Sequence, residues 1–320
     1  MKKIILLSII LSFTFSGKSQ QDAQYNLYQF NQLLINPAYA GARDILSAIV
    51  LTRQQWVGID GAPKTNCLSL HGPVINKNIG VGLTITNDEM GPRNVISVFG
   101  NAAYILRINS KMKLSFGLNA GFNRYQFNFN KVTSYNSEFP SSSNQKQTRN
   151  ALDINGGLYL KSQTFFAGMS MTHINSPSIY KSEASSIEYH LSPHMFFNLG
   201  KSFQINQNLV FAPTLLVKYS VNSLNYDLNF NFLINKKMWL GAFYRSSYGP
   251  GGLMQYFITN KFKVGYSYDT GLGNQLNFGS SHELMLSLDF GSTKSNKKRM
   301  EKTFIFRVYW VLYLRNFSSY

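Results

Sequence analysis

The chain has 320 residues, 44% of them hydrophobic, so it is too long and too apolar for a disordered segment and is sized for one large domain or two ordinary ones. Charged residues make up only 14% and aromatics 15%, a charge content well under the roughly 25% of a typical soluble domain. The balance of 31 Lys+Arg against 14 Asp+Glu gives +17, which invites a nucleic-acid reading that depends on where the charges lie, while the single cysteine, Cys67, excludes an intrachain disulfide and a cysteine-based metal site.

Met1 to Gln20 opens with Lys2 and Lys3, continues through an apolar run from Ile4 to Phe15, and reaches small residues at Gly17 and Ser19. These are the three parts of a cleavable export signal over residues 1–19, with cleavage expected after Ser19. The apolar run is short of the roughly 20 residues a spanning helix needs, and no cysteine follows it to carry a lipid anchor. An exported chain without spanning helices is periplasmic, secreted or an outer-membrane barrel. In the next stretch, residues 20–44, Asn36-Pro37 and Gly41 read as turn punctuation, because proline fixes φ and glycine permits positive φ.

From residue 45 onward, period-two patterning predicts strands. Leu114, Phe116, Leu118, Ala120 and Phe122 share one parity, and Ser115, Gly117, Asn119, Gly121 and Asn123 the other. The same alternation recurs from Leu224 to Ile234 and from Phe262 to Tyr268. About fourteen strands are expected, near residues 45–53, 64–71, 78–87, 94–107, 112–129, 150–160, 164–173, 188–203, 208–221, 224–234, 237–246, 252–259, 262–270 and 282–290. Alternation alone does not separate a soluble sandwich from a membrane barrel, but the links do. The first, third, fifth, seventh, eleventh and thirteenth read as longer, the ninth (Asn222 to Ser223) breaks the rule, and the intervening ones are tight. An even strand count with short turns at one end and long loops at the other predicts a transmembrane antiparallel β-barrel over residues 45–291. Tyr104, Tyr125, Tyr159, Tyr219 and Tyr244 lie near strand ends, where aromatics suit interfacial girdles. The segment 20–44 is then either a plug folded into the lumen or a strap across the periplasmic mouth.

Several ordered motifs, QYNLYQFN at Gln24 to Asn31, NPAYAG at Asn36 to Gly41, RQQWVGIDGAPKT at Arg53 to Thr65, the Asp88 and Gly91 pair, GYSYD at Gly265 to Asp269 and GSSHE at Gly279 to Glu283, resemble the PorP/SprF family of the type IX secretion and gliding machinery of the Bacteroidetes. The resemblance runs in order over nearly the whole chain up to Phe290. It implies a bacterial outer-membrane β-barrel needed for export or surface presentation of cargo proteins or adhesins with C-terminal sorting domains. It also implies partners among the periplasmic and outer-membrane secretion components and the outer-membrane lipids, and no catalytic activity. The motif positions Asn36, Pro37, Tyr39, Gly41, Arg53, Trp56, Gly58, Gly61, Pro63, Asp88, Gly91, Tyr266, Tyr268, Asp269, His282 and Glu283 are therefore candidate partner-contact or structural residues, with Trp56 a candidate interfacial anchor.

Chemistry is sparse. His190 and His194 have metal-like spacing on a helix, but on one strand they would stand about 13 Å apart at roughly 3.3 Å per residue. In Ser281-His282-Glu283, adjacent strand residues point to opposite faces and cannot form a nucleophile, base and orienter chain. Gly271-Leu272-Gly273 lacks the following glycine and helix of a dinucleotide fingerprint. No cofactor, metal or nucleic-acid partner is expected. Two functions stay open: a secretion-accessory barrel acting through protein contacts, and a solute-transport barrel, porin or plugged, with Asn-lined walls.

The charge resolves by location. Lys2, Lys3 and Lys18 belong to the leader, and a basic, aromatic tail over residues 292–320 carries a net +6, leaving +8 on the barrel. Lys77, Lys111, Lys161, Lys236 and Lys261 mark the tight turns and predict a cationic periplasmic rim. That rim would meet anionic headgroups or an acidic partner, or would consist of snorkelling interfacial lysines.

Overall fold

The computed structural model describes residues 23–74, 78–128, 146–181, 188–221, 223–246, 248–272 and 279–290. The expected leader, the tail, Lys77 and most of the loop Asn130 to Arg149 lie outside these residues. Thirteen strands stand in the wall as single elements: β1 (Leu46–Gln54), β2 (Lys64–Pro73), β3 (Ile79–Met90), β4 (Arg93–Arg107), β5 (Lys113–Asn128), β6 (Lys146–Lys161), β7 (Phe165–Thr172), β12 (Leu209–Ser220), β13 (Ser223–Ile234), β14 (Met238–Arg245), β15 (Gly249–Phe257), β16 (Phe262–Asp269) and β17 (Ser281–Phe290). Between β7 and β12 lie a separate small hairpin, β8 (Ser178–Lys181) and β9 (Glu188–His190), and then β10 (His194–Lys201) and β11 (Phe203–Asn206).

Gly200 opposes Thr214 and Phe203 opposes Phe211, so β10 and β11 keep one register against β12 and act as one strand interrupted at Ser202. Counted that way the wall is a closed 14-stranded antiparallel barrel. Closure is made by β1 on β17, from Leu46 opposite Phe290 to Gln54 opposite His282.

The two faces follow the alternation. On β5, Leu118 and Phe122 are each 63% exposed while Ser115 and Asn123 are buried. On β17, Leu284, Leu286, Leu288 and Phe290 face out, and Glu283, Met285, Ser287 and Asp289 face in. Apolar side chains outside and polar ones inside reverse the arrangement of a water-soluble fold, and a bilayer is the surrounding that makes it favourable.

Four expectations change. The third link is not a longer loop: β3 and β4 stay paired to Met90 and Arg93, leaving only Gly91 and Pro92 between them. The eleventh link shrinks to residues 246–248 because β15 starts at Gly249, three residues early. The strand expected over 188–203 does not start until His194, since Leu191 to Pro193 leaves the ladder and Pro193 has no N–H to give it. Tyr125 and Tyr159 are buried on the inward face, not at a girdle, whereas Tyr104, Tyr219 and Tyr244 are exposed outside.

Residues 23–45 precede the wall and form three single turns of 3-10 helix, Leu27–Phe30, Gln32–Leu34 and Pro37–Tyr39. Asn36 starts the last one, its Oδ1 accepting from Ala38 N at 2.9 Å with Pro37 at the first position, an arrangement that suits proline because its missing N–H is not needed there. The segment meets side chains of β2, β13, β16 and β17, backbone carbonyls of β6 and β7, and Gly117 of β5. The segment thus packs against the inward face of strands on several sides of the closed wall.

Candidate functional site

Two charged clusters hold this segment, one at each end of the barrel. At the end bearing the long links, Arg53 Nη2 lies 3.0 Å from Asp269 Oδ2 and its Nη1 3.4 Å from Glu283 Oε2, with all three side chains at most 1% exposed. Glu283 also accepts two successive backbone amides, Asn26 N at 2.8 Å and Leu27 N at 2.9 Å, and Asn26 Nδ2 donates to Asp269 at 3.0 Å. Beside it, Arg245 pairs with Asp227 at 2.9 Å and donates to the Tyr25 carbonyl at 2.8 Å, with Lys218 3.0 Å from the same aspartate. At such burial an ion pair is tolerated only when geometry and further hydrogen bonds offset desolvation, and the backbone of residues 25–27 supplies several of them.

At the end bearing the tight turns, Asp289 accepts from Arg43 at 2.8 Å and from Ser47 Oγ at 2.8 Å, and is also paired with Lys263. Asp44 pairs with Lys113 at 2.8 Å. Between the clusters the contacts are mostly amides: Asn31 on Ser69, Gln29 on Asn231, Gln32 on Asn198, and Asn36 Nδ2 on the Leu158 and Met169 carbonyls. Burial holds the Tyr28 phenol far above its usual pKa, so it stays protonated and accepts from Asn229 Nδ2 at 2.8 Å.

The wall is shaped to this segment. A Cβ on Gly117 would sit 2.1 Å from Ala38 N, and one on Gly80 2.1 Å from the Ala40 carbonyl, far inside van der Waals contact. Gly41 has φ +71 and its own Cβ would fall 2.6 Å from Gly80 Cα, so two glycines are needed where the chain turns past β3. Tyr39 fills the space alongside, with its ring 5.3 Å from both His71 and Tyr159.

The motif positions divide by location. Asn36, Pro37, Tyr39, Gly41, Arg53, Asp269 and Glu283 converge on the lumen. Thr65 Oγ1 and Arg93 hold Asp88, at 2.7 and 3.1 Å. Gly61 and Gly91, both at positive φ, meet through a 2.8 Å bond from Gly91 N to the Gly61 carbonyl, and Pro63 accepts from Gln55 N across the first long link. Trp56 takes φ +53 and its N donates to Ser281 Oγ at 3.4 Å, while Gly58, at φ +99, has open space around it. Tyr266, Tyr268 and His282 stand together on the outer face, with Tyr266 Oη 2.7 Å from His282 Nδ1, so Ser281 and His282 point to opposite sides. His190 and His194 do not share a strand.

The lysines do not all form a rim. Lys111 and Lys261 are exposed and Lys236 half-exposed, but Lys161 is buried, because it occupies an inward position at the end of β6 and donates to the Ala42 carbonyl. Asp289 and Arg245 escaped the sequence reading. The signal that could have found them is charge at an inward parity on strands that otherwise alternate.

A closed barrel with an apolar outer face and a polar, charged inner face defines an outer-membrane protein. The family described as "Type IX secretion system membrane protein PorP/SprF" matches residues 17–288, and the chain belongs to that family. No curated protein matches the sequence significantly. Among solved structures, a TodX deltaS2S3 mutant monoaromatic hydrocarbon channel has a TM-score of 0.49 at 11% identity, with 87% of this chain and 97% of that one covered. The Acinetobacter baumannii outer membrane protein Omp33 has 0.44 at 12%, covering 77% and 99%, and a KdgM porin 0.39 at 10%, covering 77% and 99%. These likenesses go no further than barrel architecture.

Proposed function

We propose that this outer-membrane barrel supports export or surface presentation of cargo proteins with C-terminal sorting domains through protein contacts, and that residues 23–44 are a plug. The observation that carries the reading is the filled lumen. Amides and ion pairs of this segment bond inward groups of β2, β13, β16 and β17, and the cavity beside Gln29, Gln32, Asn231 and Trp239 is about 20 Å³, room for about one water. A solute channel needs a continuous aqueous path, which this packing opposes.

Cargo contacts are assigned to the long-link end and machinery contacts to the tight turns, where Lys111, Lys236 and Lys261 suit an acidic periplasmic partner. No catalytic role and no cofactor is assigned. A deletion strain tests the reading: it predicts loss of a surface adhesin with unchanged permeability to small solutes. A permeability defect with normal protein export would refute it in favour of solute transport. Reversing the three turn lysines predicts weaker co-purification of the machinery, and unchanged co-purification would discard the acidic-partner contact.

A further inference from the structure

The strand ends define two mouths. Gln54, Arg245 and Asp269 end their strands, and Ser281 opens β17, at the mouth that carries links 55–63 and 270–280. Leu46, Lys113, Lys161 and Phe290 stand at the other mouth, among the tight turns. In outer-membrane barrels the long loops face outside and the tight turns face the periplasm.

The lumenal segment runs between these mouths in one direction. Asp44 pairs with Lys113 and Arg43 with Asp289 at the periplasmic end. Going back along the chain, Asn36 meets β6 and β7 lower in the wall, Gln29 meets Asn231, Tyr28 meets Asn229, and Asn26 reaches Asp269 and Glu283 at the outer end. The Tyr25 carbonyl is held by Arg245, the last residue of β14. Residues Tyr25 to Leu33 are buried, whereas Ala23 and Gln24 are half-buried, so the chain comes out of cover at the outer mouth.

We propose that the segment runs outward through the barrel, with Ala23 and Gln24 presented at the outer mouth and reached from the cell surface and not from the periplasm. Chain direction and the clusters at the two ends carry this inference. A strap across the periplasmic mouth would instead place Ala23 beside the tight turns. The inference does not depend on how well the lumen is sealed.

Single-cysteine labelling of full-length protein in cells tests it. Cys67, the one cysteine of the chain, is buried and is replaced by serine; Ala23→Cys is then compared with Asp60→Cys in the first long link and Lys237→Cys in a tight turn, both exposed. With a membrane-impermeant maleimide, Ala23→Cys and Asp60→Cys should label on intact cells, and Lys237→Cys only after the outer membrane is permeabilised. Labelling of Ala23→Cys only after permeabilisation would overturn the proposal, and so would no labelling in either state for a barrel that keeps its heat-modifiable gel shift. If Ala23→Cys does not fold, an epitope inserted between Gln21 and Asp22 gives the same readout: antibody binding on intact cells supports the topology, and binding only in permeabilised cells refutes it. A barrel that conducts ions yet labels at Ala23 from outside would refute the plug alone.

Discussion

Arg53, Asp269 and Glu283 come from β1, β16 and β17 and are bonded to one another and to the segment they hold. Removing one member of a buried pair leaves an uncompensated charge and costs about 3–5 kcal/mol. Arg53→Ala should therefore lower the unfolding free energy of refolded protein in lipid, read from urea titration, by about that amount. Replacing outward His282 with alanine, which leaves the lumen intact, should shift it by about 0.5 kcal/mol or less, as surface changes do. Glycine offers a cleaner contrast. Gly117→Ala drives a methyl into the Ala38 backbone, whereas at Gly100 the nearest atom to an added Cβ is 4.0 Å away. Gly117→Ala should destabilise by at least about 1–3 kcal/mol, the range for overpacking, with Gly100→Ala neutral in the same assay. The sequence made Arg53, Asp269 and Glu283 visible as family anchors, but their contact was not legible, because 216 residues separate Arg53 from Asp269 and no spacing rule joins them.

At the scale of elements, period-two alternation located the strands well, since in a membrane wall each outward position meets lipid and each inward position meets the lumen. It failed where the ladder was altered by something other than pattern. Pro213 and Ala212 stand opposite Lys201 and Ser202 in the β10–β12 register, where the wall strand is interrupted and Ser202 N bonds the Thr164 carbonyl instead. Gly91 at φ +55 lets β3 and β4 turn with two residues where a longer loop was expected. The outward face itself is testable. Leu118→Arg and Phe230→Arg each put a charge on the lipid side and should lower refolding stability by about 2–4 kcal/mol if near the midplane, measured by equilibrium refolding into vesicles. Lys111→Glu, on an exposed turn, should change it by about 0.5 kcal/mol or less.

For the whole molecule, closure and occupancy are coupled. The residues that bond residues 23–45 at their two ends include Asp269, Glu283 and Asp289 on the last two strands, and the last of these strands closes the wall on β1. The net charge belongs to this picture too: on the inward face, basic and acidic groups are paired, and Lys111, Lys237 and Lys261 stand exposed at tight turns. The lumenal packing was beyond the sequence, which left plug and strap equally open, because Asn-Pro and a later glycine specify a bend without saying what the bend touches. The central claim is that this lumen is filled by residues 23–44 and is not a solute path. Conductance of the purified full-length protein in a planar lipid bilayer tests it most directly: no steady ion current is predicted, with stable open-channel current appearing when residues 23–40 are deleted, whereas stable open-channel current from the intact chain would contradict the account.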